Sequence, residues 1–185
     1  YEKGKTHLFT GEKYLIIPSF SPENKPLGYK SAITANASMD IAAAKDIIAM
    51  YIDMENELQN EGYKERIKKA EKLNNELPDY QYDESGAIRE WAMKEYQENN
   101  AHRHISHLYC AWPAYQTQHN NKLANACRQA ILNRNKENSR KDDTASHGWI
   151  HKALVEARLK NSEEVYNILN MLVHSDIFYS TLFTD

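Results

Sequence analysis

The feature that most constrains this chain is a helical hydrophobic period. In "SMDIAAAKDIIAMYIDMENELQN", Ile41, Ala44, Ile48, Tyr51 and Leu58 recur on one helical face, with Ser38 or Asp40 near the start. Gly62 is expected to end this helix in a left-handed conformation. Tyr63, Ile67, Ala70, Leu73 and Leu77 mark a second helix, and Pro78 stops it. The link between them is short, so the two helices are read as antiparallel neighbours.

Helical faces return later. Leu123, Ala126, Ala130 and Ile131 form one. Trp149, Ala153, Leu154 and Ala157 form another, after the loop "NKENSRKDDTASHG". Val165, Ile168, Leu169 and Leu172 form the last, where Asn161 and Glu164 have capping-box spacing. The fold class is therefore all-α, built of antiparallel helix pairs. Before the first helix, "YLIIPSFSPEN" has a short apolar run, Tyr14 to Ile17, read as a strand or extended segment followed by a turn-rich loop. Ser and Asn beside Pro are the ordinary residues of such turns. Residues 1–35 are read as an opening segment and 36–185 as the helical domain.

Residues 79–120 carry no sustained period, apart from a short strand signal around Ala87–Trp91. A long loop inside a helical chain is often functional. This one contains "EWAMKEYQENNAHRHISHLYCAWP", with Glu90, Trp91, His102, Arg103, His104, His107 and Trp112 in one stretch. Glu90 has two readings. A carboxyl held against an aromatic ring away from water keeps its proton and can act as a general acid. A glutamate at the surface pairs with a cation such as Arg89 or Arg103. The histidines have three readings. HxHxxH spacing admits zinc, though no HExxH or nearby cysteine pair accompanies it. Imidazoles and a guanidinium also make a hydrogen-bonding wall suited to a polyhydroxylated ligand. They can equally be satisfied structural histidines. Trp91, Trp112 and Trp149 are each core residues or platforms for the apolar face of a sugar ring.

The charges set limits. Lys and Arg number 23 against 26 acidic residues, without the basic excess of a nucleic-acid binder. No apolar run has membrane-spanning length. Cys110 and Cys127 form neither a disulfide framework nor a CxxC site and are read as buried thiols. The chain opens on Tyr1 without methionine or signal sequence, so processing or truncation is expected to have set that boundary, and no compartment is assigned.

Five stretches occur in an order that resembles one known family: "PSFSPEN" (Pro18–Asn24), "ASMD" (Ala37–Asp40), "GAIREW" (Gly86–Trp91), "HRHISHLY" (His102–Tyr109) and "HGWIHKALVEARL" (His147–Leu159). Together they resemble the catalytic domain of glycoside hydrolase family 95, which includes α-L-fucosidases. The resemblance implies an (α/α)6 barrel or toroid, of which this chain forms part. It implies inverting removal of terminal α-L-fucose, commonly α-1,2-linked, from a fucosylated glycan, with no metal or cofactor. It puts the general acid at Glu90; Trp91, His102, Arg103, His104, His107 and Trp149 are the candidate sugar contacts or supports beside it. The family's water-holding asparagines would precede Tyr1, and its polarising aspartate would follow Asp185. Where the family often carries an aspartate after its Glu-Trp pair, Glu95 is the nearest equivalent.

A ring of six helix pairs needs about twelve helices, more than 185 residues supply. The remainder of the barrel is expected from flanking sequence, and the piece alone is expected to be inactive. A non-catalytic or degenerate carbohydrate-binding module, lacking the water-activating residues, is the alternative. A helical-solenoid scaffold is a third reading, one that leaves the central loop unexplained.

Overall fold

The computed structural model describes residues 13–137 and 146–175. The middle of the 135–148 loop, read from the sequence, lies outside them. The described residues form five α-helices: α1 (Ser38–Leu58), α2 (Tyr63–Glu76), α3 (Asn121–Glu137), α4 (Ser146–Arg158) and α5 (Ser162–His174). A small antiparallel pair, β1 (Ser19–Phe20) and β2 (Ile33–Thr34), precedes them, with Ser19 opposite Thr34. A 3-10 turn at Ser106–Cys110 is the one helical piece in the central segment.

The helical periods predict the helices well and their ends less well. Gln59, at φ 48°, is the left-handed residue that closes α1. Gly62, at φ 76°, opens α2 instead of ending α1. The helix end lies where the Gln59 N–H can donate to the Glu55 carbonyl, at 3.0 Å. Neither Ser38 nor Asp40 caps α1. Its N-cap is Ala37, in extended backbone. Ser38 Oγ instead donates to the Arg89 carbonyl at 2.5 Å. Asp40 accepts from Ser19 Oγ at 2.6 Å and from the Phe20 N–H at 3.0 Å. Both polar side chains at the start of α1 are thus spent on holding other segments.

Of the two readings of Tyr14–Ile17, the regular strand is absent, and both end residues are exposed. Pairing begins two residues later, where Thr34 Oγ1 reaches the Ser19 carbonyl at 3.0 Å. At Asn161 the capping prediction is half realised. Its side chain accepts from the Glu164 N–H at 3.4 Å. Its own N–H goes to the Glu156 carbonyl at 3.0 Å, so the reciprocal half of the box is unused.

The main core lies between α1, α3 and the central segment. Ala42, Ile88, Leu108, Cys127, Ile131 and Val155 are buried together there. The two thiols are both buried and free, with their sulfurs 3.6 Å apart. A smaller cluster joins α4 to α5 through Ala153, Ile168 and Leu172, with Trp149 packed against it. Helix α2 buries no residue fully; it is tied to α1 by Arg66, whose Nε and Nη2 each donate to the Glu55 carboxylate at 2.6 Å.

Residues 79–105 have no regular element of their own, yet they are ordered by neighbours. The Ile88 N–H donates to the Ala126 carbonyl of α3 at 3.2 Å, and the Ser38 N–H of α1 donates to the Glu90 carbonyl at 2.9 Å. Isolated bridges pair Tyr82 with Ile88 and Ala37 with Trp91. The short strand expected at Ala87–Trp91 is therefore two separate bridges, one to each side. This fastening fixes where residues 88–91 sit.

Candidate active site

Glu90 is interior, with 1% of its side chain exposed. Its Oε1 accepts from Ser21 Oγ at 2.7 Å. Its Oε2 accepts from Asn24 Nδ2 at 2.6 Å and Arg134 Nη2 at 2.8 Å. The expected cation partners are engaged elsewhere. Arg89 pairs with Glu98 at 3.3 Å, and Arg103 pairs with Glu23 at 2.8 Å. The partner that Glu90 does take, Arg134, lies on α3, 44 residues further on.

A second carboxyl stands behind Glu90. Glu98 Oε2 accepts the Glu90 backbone N–H at 2.9 Å. Burial pushes the Glu98 carboxyl up to about 7, against the bonds from Glu90 N–H and Arg89 that favour its charged form. Two further contacts complete the interior network. Arg134 Nη1 donates to the Asn99 carbonyl at 2.6 Å, and Arg134 Nη2 lies 3.4 Å from His107 Nδ1. Burial pulls His107 well below the usual histidine range, and the Arg134 charge adds to the effect.

The sequence-predicted site residues separate into two groups. Trp91 is fully buried, and so is His107 at 2% exposure. Trp91 packs edge-on against Tyr96, with ring centroids 6.4 Å apart, and offers no open ring face. Trp149 belongs to the α4–α5 cluster, with Lys152 Nζ 4.9 Å from its ring centroid. His102, Arg103 and His104 form the other group, nearer the surface. The His102 and His104 rings are 5.2 Å apart, and His147 at the start of α4 continues the row 5.1 Å from His104. The sequence row "HRHISH" is thereby split: its first three residues make a wall, and His107 turns into the core. Among the described residues no group of three or more His, Cys, Asp or Glu side chains is arranged to hold a metal ion.

Facing that wall is Glu23, which the sequence reading passed over. Its side chain is 62% exposed. Arg103 Nη2 donates to Glu23 Oε2 at 2.8 Å, and His104 Nε2 lies 3.5 Å from the same oxygen. Burial lowers the His104 pKa, with the Arg103 charge as the next cause and Glu23 opposing both. Glu23 sits in a tight turn closed by the Asn24 N–H on the Ser21 carbonyl at 2.7 Å. Ser106 Oγ donates to the Pro22 carbonyl from the far side. The available signal was the "PSFSPEN" stretch, whose Ser, Pro and Asn read as turn formers and drew attention away from the glutamate between them.

The site therefore pairs an accessible carboxyl with a guanidinium and a row of imidazoles. A buried ion pair lies directly beneath it. The sequence profile of the glycosyl hydrolase family 95 catalytic domain matches residues 5–185. The chain belongs to that family. Its helix pairs are part of the family's (α/α)6 barrel. A curated relative, Alpha-L-fucosidase 2 of Arabidopsis thaliana, is 29% identical over 184 residues, covering 90% of this chain and 21% of the relative. The chain thus spans about a fifth of that relative's length.

Proposed function

We propose that this family 95 chain forms part of the catalytic centre of a glycosidase that removes terminal α-L-fucose from glycans. The fucoside substrate is supported by the name of the Arabidopsis relative. Inversion at the anomeric carbon and a preference for α-1,2 links follow from the family resemblance. In an inverting hydrolysis one group protonates the departing glycosidic oxygen while a water attacks the opposite face. On this reading the water is oriented by residues outside these 185, and the 185 residues alone hydrolyse no fucoside at a useful rate.

The resemblance assigns the proton donor to Glu90, and we propose that role for it. A donor must come within hydrogen-bond reach of the leaving oxygen. The observation that supports the proposal is the setting of the Glu90 carboxyl: withdrawn from water, it is oriented by Ser21 Oγ at 2.7 Å and Asn24 Nδ2 at 2.6 Å, the residues that flank the turn facing the Arg103–His104 wall. Arg103, His104 and His102 then bind sugar hydroxyls, while Trp91 and His107 support them from within.

The test uses the full-length chain that carries these residues. Glu90→Gln should lower turnover of a fucosylated oligosaccharide by about 10²–10⁴-fold, the usual worth of acid–base help. An aryl fucoside with a good leaving group should lose far less, because its departure needs little protonation. NMR should show the product with inverted anomeric configuration. Equal losses on both substrates would remove Glu90 from the donor role, and retained configuration would exclude inversion.

A further inference from the structure

We propose that Ser21 is a positioning residue for the general acid, one that holds the transferable proton of Glu90 on Oε1. The inference rests on the reading of Glu90 as proton donor. Its basis is the unequal setting of the two carboxyl oxygens. Oε2 accepts from Asn24 Nδ2 at 2.6 Å and from Arg134 Nη2 at 2.8 Å. Amide and guanidinium nitrogens only donate, so a proton placed on Oε2 would meet two N–H groups already aimed at it. Oε1 faces a different kind of partner, Ser21 Oγ at 2.7 Å. A hydroxyl both donates and accepts, so a proton on Oε1 meets an oxygen that can turn to receive it.

The Ser21–Glu90 bond therefore survives in both charge states of the acid. When Glu90 is protonated, its Oε1–H donates to Ser21 Oγ. When Glu90 is ionised, the Ser21 hydroxyl donates to Oε1. In the reaction the glycosidic oxygen takes the proton from Oε1, the electron pair of the O–H bond stays on Glu90, and the Ser21 hydroxyl turns to donate to the new carboxylate. Ser21 and Glu90 are 0% and 1% exposed, so water does not stand in for a missing partner. Ser21 is fixed for this task by its neighbours in the chain. Ser19 Oγ and the Phe20 N–H both donate to Asp40 of α1, and the Pro22 carbonyl accepts from Ser106 Oγ. The Glu90 backbone is fixed as well, its N–H by Glu98 and its carbonyl by the Ser38 N–H. Displacing a reacting group by about 1 Å can cost about a hundredfold in rate, so a partner that fixes the protonated oxygen has kinetic weight.

The experiment compares two substrates in the full-length chain. One is a fucosylated oligosaccharide, whose sugar leaving group needs a proton. The other is α-L-fucosyl fluoride, whose fluoride leaves without one. Ser21→Ala removes the hydroxyl and keeps the Arg134–Glu90 pair. It should lower kcat on the oligosaccharide by about ten- to a hundredfold with KM little changed, and leave fluoride turnover nearly intact. Ser21→Cys, with a thiol that donates and accepts only weakly, should show a smaller loss in the same substrate-dependent pattern. Should Ser21→Ala fail to fold, the cysteine variant carries the test. In a Glu90→Gln background the Ser21 changes should add almost nothing, because they act through the acid already removed. Unchanged oligosaccharide turnover, equal losses on both substrates, or full additivity with Glu90→Gln would overturn the role of Ser21 and leave Glu90 as donor. If Glu90→Gln alone loses equally on both substrates, the donor reading fails, and the role of Ser21 falls with it.

Discussion

Arg134 Nη2 and Glu90 Oε2 meet at 2.8 Å inside the protein, with side chains 5% and 1% exposed. One residue comes from α3 and the other from the irregular central segment. An ion pair withdrawn from water this far is kept by its extra hydrogen bonds, and here Ser21, Asn24 and Asn99 supply them.

Breaking the pair from the α3 side should be severe. Arg134→Met leaves Glu90 buried without its cation, and losing one partner of such a pair costs about 3–5 kcal/mol. Replacing both residues with apolar ones should cost less than the two single changes added together. Chemical denaturation of the four proteins in the cycle reads both quantities. Additive losses would mean that the two side chains do not depend on each other.

Glu98 should give stability a pH slope. Its carboxyl is raised from 4.5 to about 7, chiefly by burial, with the Glu90 charge adding to the effect. Between those values the folded protein holds a proton that the unfolded chain releases. The contribution of Glu98 is therefore complete below about pH 4.5 and is lost as pH rises towards 7, on the order of 3 kcal/mol in all. Glu98→Gln mimics the protonated group and should remove this slope. Thermal midpoints from pH 4.5 to 8, taken as wild type minus variant, isolate the term. A difference independent of pH would refute it.

His107 should act with the opposite sign. Burial and the Arg134 charge hold its pKa well below 6.5, so it is buried neutral. Its contribution is present above the unfolded value of 6.5 and is lost as pH falls below it, because the unfolded chain then takes up a proton that the folded one refuses. His151 is lowered for the same main reason, burial, with His104 and His147 adding to it. His107→Met should flatten the acid limb of the stability curve, whatever it does to the midpoint at neutral pH. An unchanged limb would mean that His107 protonates in place.

Gly86 should resist substitution for a backbone reason. It stands at φ 84°, and a Cβ there would meet nothing within 4 Å. It closes the turn in which its N–H donates to the Asp83 carbonyl at 3.0 Å and Asp83 Oδ1 accepts from the Ser85 N–H at 2.8 Å. Gly86→Ala should lose about 1–2 kcal/mol, the strain of an L side chain in left-handed backbone. Denaturant midpoints measure it, and an unchanged midpoint would show that the turn relaxes to negative φ.

The sequence by itself determined the helices and the family. Periods such as Leu123, Ala126, Ala130 and Ile131 report which face of a helix leaves water, and that information is local. Asn161 and Glu164, three apart, similarly foretold a helix start. The stretches "GAIREW" and "HRHISH" were legible as functional for the same reason: each is short and contiguous. Tertiary structure decided what the side chains within them do. That Glu90 is buried and paired depends on Arg134, which follows it by 44 residues and carries no mark in the sequence as its partner. Whether Glu23 is a turn residue or a site residue depends on Arg103, 80 residues away. Burial and charge pairing are properties of the surroundings, and the surroundings of this loop are built from α1, α3 and the Ser21–Asn24 turn together.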